Sequence, residues 1–228
     1  MSRVELAFRF LAGFPKSLYV NFKVLPWNQA IHMPIYVSYH TKIGMIYKNS
    51  IRIEAKNVYF AMVSFGIRER SEGLVFLNRN YLSIDKNSKL ICRGAFAMSK
   101  GGCLKLSNGA VMECGDRVTF NANTKVLCVH KIIIGENVRI GWDATLKDGD
   151  GHAICDETGN RFNIDRPIII GNNVWVGSEA ALLKGTGIPN NSVVGFRALV
   201  TKKFEQDNVI IAGSPAKIVK ENIKWISD

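Results

Sequence analysis

The chain has 228 residues, 47% of them hydrophobic and 21% charged, the profile of an ordinary globular protein with enough apolar material for one sizeable core. Its longest apolar runs, such as Val58 to Val63 and Val209 to Ala212, fall far short of the roughly 20 residues that a membrane-spanning helix needs. The net charge of +11 favours an anionic partner of some kind, but no zinc-finger spacing, aromatic-studded RNA-binding motif or long lysine run is present, so nucleic acid is set aside.

The first residues show no basic, apolar and then small-residue pattern of a secretory leader. Five cysteines, Cys92, Cys103, Cys114, Cys128 and Cys155, are an odd number without CxxC pairing, which points to the reducing cytoplasm. Val4 to Ala12 is apolar with Glu5 and Arg9 interleaved and predicts a short helix, after which Pro15, Pro26 and Pro34 break the chain. Residues 1–83 carry no repeat and read as an N-terminal cap region. Lys16, Tyr19, Phe22, Lys23 and Trp27 give it a basic, aromatic character that suits peripheral contact with a membrane surface. A plain cap or subunit contact accounts for the same residues and is the better reading.

From Ile84 onward a step of six residues sets in. Ile84, Leu90 and Phe96 keep it, and GGCLKLSNGAVMECGDRV continues it more loosely. Further on, Ile134, Ile140 and Leu146, then Ile170, Val176, Leu182, Ile188, Val194 and Val200, mark it with aliphatic side chains. The following position is often glycine (Gly135, Gly141, Gly171, Gly177, Gly195), and the fourth after is small or β-branched. Six is neither the helical period nor the alternation of a hairpin sheet. It suits one short strand plus one tight corner, three of which close a triangular coil, with the aliphatic residue inward and glycine at corners that need positive φ or little room. The expected architecture is mainly β: a parallel solenoid over residues 84–205.

Between Leu146 and Ile170 the step is interrupted by KDGDGHAICDETGNRFNIDRPII, a polar loop over 147–169 ejected from a rigid scaffold, where function tends to sit. Asp148, Asp150 and His152 alternate and would face one side in an extended conformation. Histidine suits a general base near neutral pH, and a carboxylate partner would fix its tautomer, Asp150 slightly ahead of Asp148. The aspartates equally suit turn-capping in a DGDG loop. His32, His40 and His130 have no such setting and read as surface or packing residues. Trp175 stands one residue before an inward valine and should face outward. Residues 206–228 form a C-terminal extension expected to include a short helix.

Several ordered motifs together, IGENVRIGWDATLKDGDGHAI, PIIIGNNVWVGSEAALLKGTGIPNNSVVG, VTKK and AGSPAKIVKENIKW, resemble the hexapeptide-repeat acyltransferases, and among them the sugar O-acetyltransferases of polysaccharide and lipopolysaccharide assembly. The resemblance is strongest over residues 132–225. It implies a left-handed parallel β-helix, a homotrimer with sites between neighbours, acetyl-CoA as co-substrate and a carbohydrate acceptor that is soluble or lipid-linked. It implies direct transfer in a ternary complex with His152 as base, which leaves Cys155 incidental, and it places Trp175 beside the acetyl-transfer site. Ser178, Phe196, Thr201 and Lys202 align with coenzyme A contact positions and Lys217 with the cation near the nucleotide phosphates, Lys203 and Lys220 assisting. One departure is GFRA at Gly195 to Ala198, bulkier than the family's usual small residues. No metal is expected, because zinc enzymes on this coil need three histidines, two of them closely spaced. An amine acceptor, or a scaffold without catalysis, remains the alternative.

Overall fold

The computed structural model describes residues 3–66 and 79–226, with side chains from Phe10 onward; residues 67–78 of the expected cap region and the last two of the C-terminal extension lie outside the described residues. Strands of two to five residues stack into three sheets. Sheet A holds Ile35–Val37, Val63–Phe65, Phe96–Met98, Val118–Phe120, Arg139–Ile140, Trp175–Val176, Val193–Val194, Ile210–Gly213 and Ala216–Lys220. Sheet B runs from Lys42–Ile43 to Leu199–Val200, and sheet C from Ile51–Ile53 to Gly187–Ile188. The chain passes from A to B to C and back to A, so each circuit is one triangular coil laid parallel on the last. Trp175 pairs with Val193, Ala181 with Leu199 and Ile169 with Gly187, a step of 18 residues in each case. Three sides of six make the coil, and the fold is the parallel β-helix of triangular coils that the six-residue step predicts.

The aliphatic residues of the repeat all point inward: from Ile134 to Val200 none is more than 3% exposed. Each such side chain contributes roughly 1.5–3 kcal/mol by leaving water. Where three phenylalanines stack in sheet A, Phe65 on Phe96 and Phe96 on Phe120, ring centroids stand 5.5 Å apart in both steps, the tilted spacing aromatic pairs prefer.

The corners divide their labour differently from the sequence expectation. Gly135, Gly141, Gly171, Gly177 and Gly195 are not the positive-φ residues; that conformation falls two places later, on Asn137, Asp143, Asn173, Glu179 and Arg197. The glycines are there because coils touch. A Cβ on Gly141 would lie 2.5 Å from the Ser178 amide nitrogen, and one on Gly177 would lie 2.8 Å from that of Phe196. At the corner between sheets C and A the positive-φ positions in three successive coils, Asn137, Asn173 and Asn191, are asparagines that bond from coil to coil. Asn137 donates to Asn173 at 2.8 Å and Asn173 to Asn191 at 3.1 Å, consistent with asparagine's tolerance of the left-handed region.

Both ends depart from expectation. The coils begin at Ile35, well upstream of Ile84, because short strands at Ile35–Val37, Lys42–Ile43 and Ile51–Ile53 already pair in the three sheets; their irregular spacing, with long connections between them, hides the step. The N-terminal helix, α1 (Arg3–Val24), runs through Pro15 instead of stopping before it. Tertiary packing overrides the local break. Its inner face closes the first strand: the Asn21 amide accepts from the Ile35 N–H at 3.0 Å and donates to the Ile35 carbonyl at 2.6 Å, while the Ser17 hydroxyl accepts from the Val37 N–H at 2.8 Å. Two side chains thus stand in for a missing coil. A one-turn helix, α2 (Trp27–Ala30), follows, and Gln29 donates to the Ile53 carbonyl of sheet C.

At the other end no helix forms among residues 206–226. Ile210–Gly213 and Ala216–Lys220 make an antiparallel hairpin on sheet A instead, turned by Gly213 at φ +100 and a cis Ser214–Pro215 bond. Burying Ile211 and Ala216 while packing Ile218 on the core favours the hairpin over a helix. No described helix is long and apolar enough to cross a membrane.

Candidate active site

The polar loop leaves the prism between Thr145–Lys147 of sheet B and Ile168–Ile170 of sheet C. Its first residue is not part of a catalytic row. Asp148 is fully buried, and its carboxylate accepts from the backbone N–H groups of Val129 (2.7 Å) and His130 (3.0 Å) and from the Cys128 thiol (3.3 Å). It closes the corner of the coil above, so the expected orienting role toward His152 is corrected to a structural one. The cause is the turn at Asp148–Gly149, which takes the chain out of the extended conformation that alternation assumed. Burial and the neighbouring carboxylate push the Cys128 thiol well above its ordinary range, and burial alone raises Cys92 to about 12; neither is a nucleophile.

Asp150 faces outward but is also engaged. Its carboxylate meets the Lys184 ammonium at 2.5 Å and accepts from the Asn163 amide at 2.8 Å, and these two hydrogen bonds hold its pKa below the usual carboxylate value. Lys184 follows the sheet B strand Ala181–Leu183 of the next coil, so this pair ties the loop to the wall beneath it.

Asn163, only 6% exposed, is the hub of the loop and was not singled out in the sequence. Its amide nitrogen donates to Asp150 and to the His152 carbonyl at 2.8 Å each, and its oxygen accepts from the Ile154 N–H at 2.7 Å and from Arg161 at 3.2 Å. Between these anchor points the chain makes a small hairpin, with Cys155 bridged to Arg161 and the Asp156 carboxylate holding the turn through Thr158 and Asn160. A lone asparagine in a polar loop has no sequence signature. The only sign was the loop's length, too great for an unsupported turn.

His152 sits at the mouth of this loop, exposed, with its backbone fixed by Asn163 and no carboxylate on its ring among the described residues. Such an imidazole is free to meet a substrate. Thr201 and Lys202 lie at the same B-to-C corner, one coil beyond Lys184, because Leu182 pairs with Val200. The Lys202 ammonium rests 5.2 Å from the Phe204 ring centroid.

The other expected residues stand at the opposite edge of sheet B. Trp175, 46% exposed, begins a sheet A strand, and Ser178 and Phe196 follow at the A-to-B corner, Phe196 60% exposed with the Arg197 guanidinium 4.9 Å above its ring. Arg197 is itself held by Glu179 at 2.6 Å. Lys217 pairs with Ala212 on the C-terminal hairpin, under the same corner. The candidate residues therefore form two groups: Asp150, His152, Thr201 and Lys202 at one vertex, and Trp175, Ser178, Phe196 and Lys217 toward the other. Among the described residues no cluster of three His, Cys, Asp or Glu side chains is placed to hold a metal ion.

No protein-family model and no curated protein matches the chain. Among solved structures it is similar to the polySia-specific acetyltransferase NeuO, with 22% identity, 85% of this chain and 78% of that one covered, and a TM-score of 0.49. It is similar to the polysialic acid O-acetyltransferase OatWY at 27% identity over 83% and 89% of the two chains, with a TM-score of 0.36. A third likeness is to AntD, an N-acyltransferase from Bacillus cereus in complex with dTDP and 3-hydroxybutyryl-CoA, at 14% identity over 82% and 79%, with a TM-score of 0.45.

Proposed function

We propose that the chain is an acetyl-CoA-dependent O-acetyltransferase acting on a sugar hydroxyl of a surface polysaccharide, lipopolysaccharide or lipid-linked precursor. The observation that carries the reading is His152: an exposed imidazole on a loop whose backbone is fixed by a buried asparagine, beside a vertex bearing Lys184, Lys202 and Lys203. In the reaction the ring nitrogen takes the acceptor hydroxyl proton as that oxygen attacks the thioester carbonyl. The carbon–sulfur bond then breaks and the imidazolium returns the proton to the departing thiolate, giving ester and free thiol. The carboxylate that would steady the imidazolium is absent in the free loop, where Asp150 is held by Lys184.

At the B-to-C vertex Lys184 is held by Asp150 and Lys203 by Glu205, so Lys202 is the cation that suits a phosphate of coenzyme A, and the exposed faces of Phe196 and Trp175 suit its apolar arm or the acceptor ring. Those groups occupy opposite edges of one sheet, which supports a homotrimer in which one protomer's loop meets its neighbour's Trp175 edge. The outer face of α1 and the segment after it, with Leu11, Phe14, Leu18, Tyr19 and Trp27 exposed, suits a bilayer surface where lipid-linked sugars reside.

Thiol release from acetyl-CoA in the presence of candidate oligosaccharides tests the reading. His152→Ala is expected to lose about 100-fold or more of kcat while binding coenzyme A as the parent does. Unchanged turnover removes the histidine from the mechanism. A product that survives mild alkali is an amide and moves the acceptor from hydroxyl to amine.

A further inference from the structure

A second recess lies outside the His152 loop. It is a groove of about 830 Å³ along the outer face of sheet A, within the range of ligand-binding clefts. Its floor is set by strand register. Ser64 pairs with Ala97, Ala97 with Thr119, Thr119 with Arg139, and Arg139 with Trp175, a straight column of outward side chains that is small until it reaches the arginine. Within the groove three inter-strand steps of ~4.8 Å, from Ser64 to Arg139, make about 14 Å, and Trp175 stands one strand beyond that end.

The walls are polar, aromatic and cationic. Tyr59, 53% exposed, stands at the end away from Trp175. The C-terminal segment crosses the other end, where the Trp225 indole N–H donates to the Asn173 carbonyl at 2.6 Å and so presents the ring to the groove. Arg117, Arg139 and Lys224 line the recess, and no carboxylate does among the described residues. Arg117 and Lys224 have no ion-pair partner among the described residues. A hydroxyl-bearing floor with aromatic walls fits sugar rings, and Arg117 and Lys224, which no described carboxylate neutralises, fit an acidic chain.

We infer that this groove binds an extended acidic oligosaccharide, several sugar units long, and leads it to the transfer site at Trp175. The inference rests on the acetyltransferase reading for its purpose but not for its test. Coenzyme A is the competing anion; its expected cations, Lys202 and Lys217, do not line this groove.

The experiment compares binding of tetragalacturonate and maltotetraose, the acidic and neutral probes, to the full chain, for the parent and for Arg117→Asn with Lys224→Gln. Asparagine is chosen because Arg117 has φ +56, a conformation asparagine accepts. The parent is expected to bind the acidic probe at least tenfold more tightly than the neutral one, with an affinity that falls as salt rises. The double variant is expected to lose that preference while retaining coenzyme A affinity and the parent's thermal midpoint. Ala97→Trp, which fills the floor, is expected to weaken both probes. Equal binding of the two probes by the parent, an unchanged double variant, or displacement of the acidic probe by coenzyme A each overturns the inference. Because no turnover is read, loss of activity in His152→Ala leaves this result untouched, and the reverse also holds.

Discussion

Asn163 and Asp148 show how a loop outside the core is held in one shape. Asp148 satisfies two amide N–H groups that the corner at Val129 and His130 would otherwise leave unpaired in a buried place. Leaving such groups without a partner costs about 1–3 kcal/mol, so Asp148→Ala is expected to lower the thermal midpoint by roughly 2–12 °C in a chain of this size, read by calorimetry. Asn163→Ala should act differently. It frees the His152 backbone and leaves Asp150 held by Lys184 alone, and is expected to reduce kcat about 10-fold or more with little change in coenzyme A affinity, since a base misplaced by an ångström loses much of its effect. Asn163→Asp keeps the acceptor oxygen but places a second carboxylate against Asp150, and should not rescue. The thiols give a further check at this scale. Burial raises Cys92 and Cys114 and, with Asp148 beside it, Cys128, so alkylation of the native protein at neutral pH is expected to modify exposed Cys155 first and those three only after unfolding, as counted by mass spectrometry. For Cys92 the sign of the pH effect follows from its raised folded value: stability is complete below the unfolded thiol pKa near 8.5 and declines as pH climbs toward about 12.

Among elements, α1 has two faces with different work. Gly13, Ser17, Val20, Asn21 and Val24 press on the first strand, Gly13 so closely that a Cβ there would collide with the Tyr36 hydroxyl. Leu11, Phe14, Leu18 and Tyr19 point away, exposed. Residues 6–53 contain no aspartate or glutamate, against Arg9, Lys16, Lys23, Lys42, Lys48 and Arg52. Co-sedimentation with vesicles rich in phosphatidylserine is therefore expected for the parent, reduced by Leu18→Glu and by added salt; absence of binding to such vesicles would assign this face to a subunit contact. The helix illustrates what the sequence could and could not tell. Its start was legible in Val4 to Ala12, whereas its passage through Pro15 was not, because the packing of Ser17 and Asn21 that sustains it comes from strands distant in sequence. The coils from Ile134 onward were legible throughout, since each rung repeats the same steric demand. The first coils were not, since long connections between Ile35 and Tyr81 break the count. At the site, His152 could be picked out by chemistry alone; its support by Asn163 and the diversion of Asp148 depend on a turn that alternation does not reveal.

The whole molecule is a column built by repetition of one contact, and its stability is a sum over neighbours. The two groups of candidate residues at opposite edges of sheet B follow from that plan: a prism has no concave interior to hold a site, and the proposed homotrimer would bring the two edges together between prisms. Light scattering of the purified protein is expected to give three times the chain mass of 25.4 kDa, and a monomeric mass with full activity would overturn the shared site. Repetition also raises a question of termination. A parallel stack offers at each end an edge ready to accept another strand, and nothing in the rung itself limits its growth. The side-chain amide and hydroxyl that Asn21 and Ser17 lend to Ile35 and Val37 supply that limit at the N-terminal end. Deleting residues 1–24 is thus expected to do more than destabilise: it should expose a template for end-to-end polymerisation, visible as fibrous particles that lengthen with concentration.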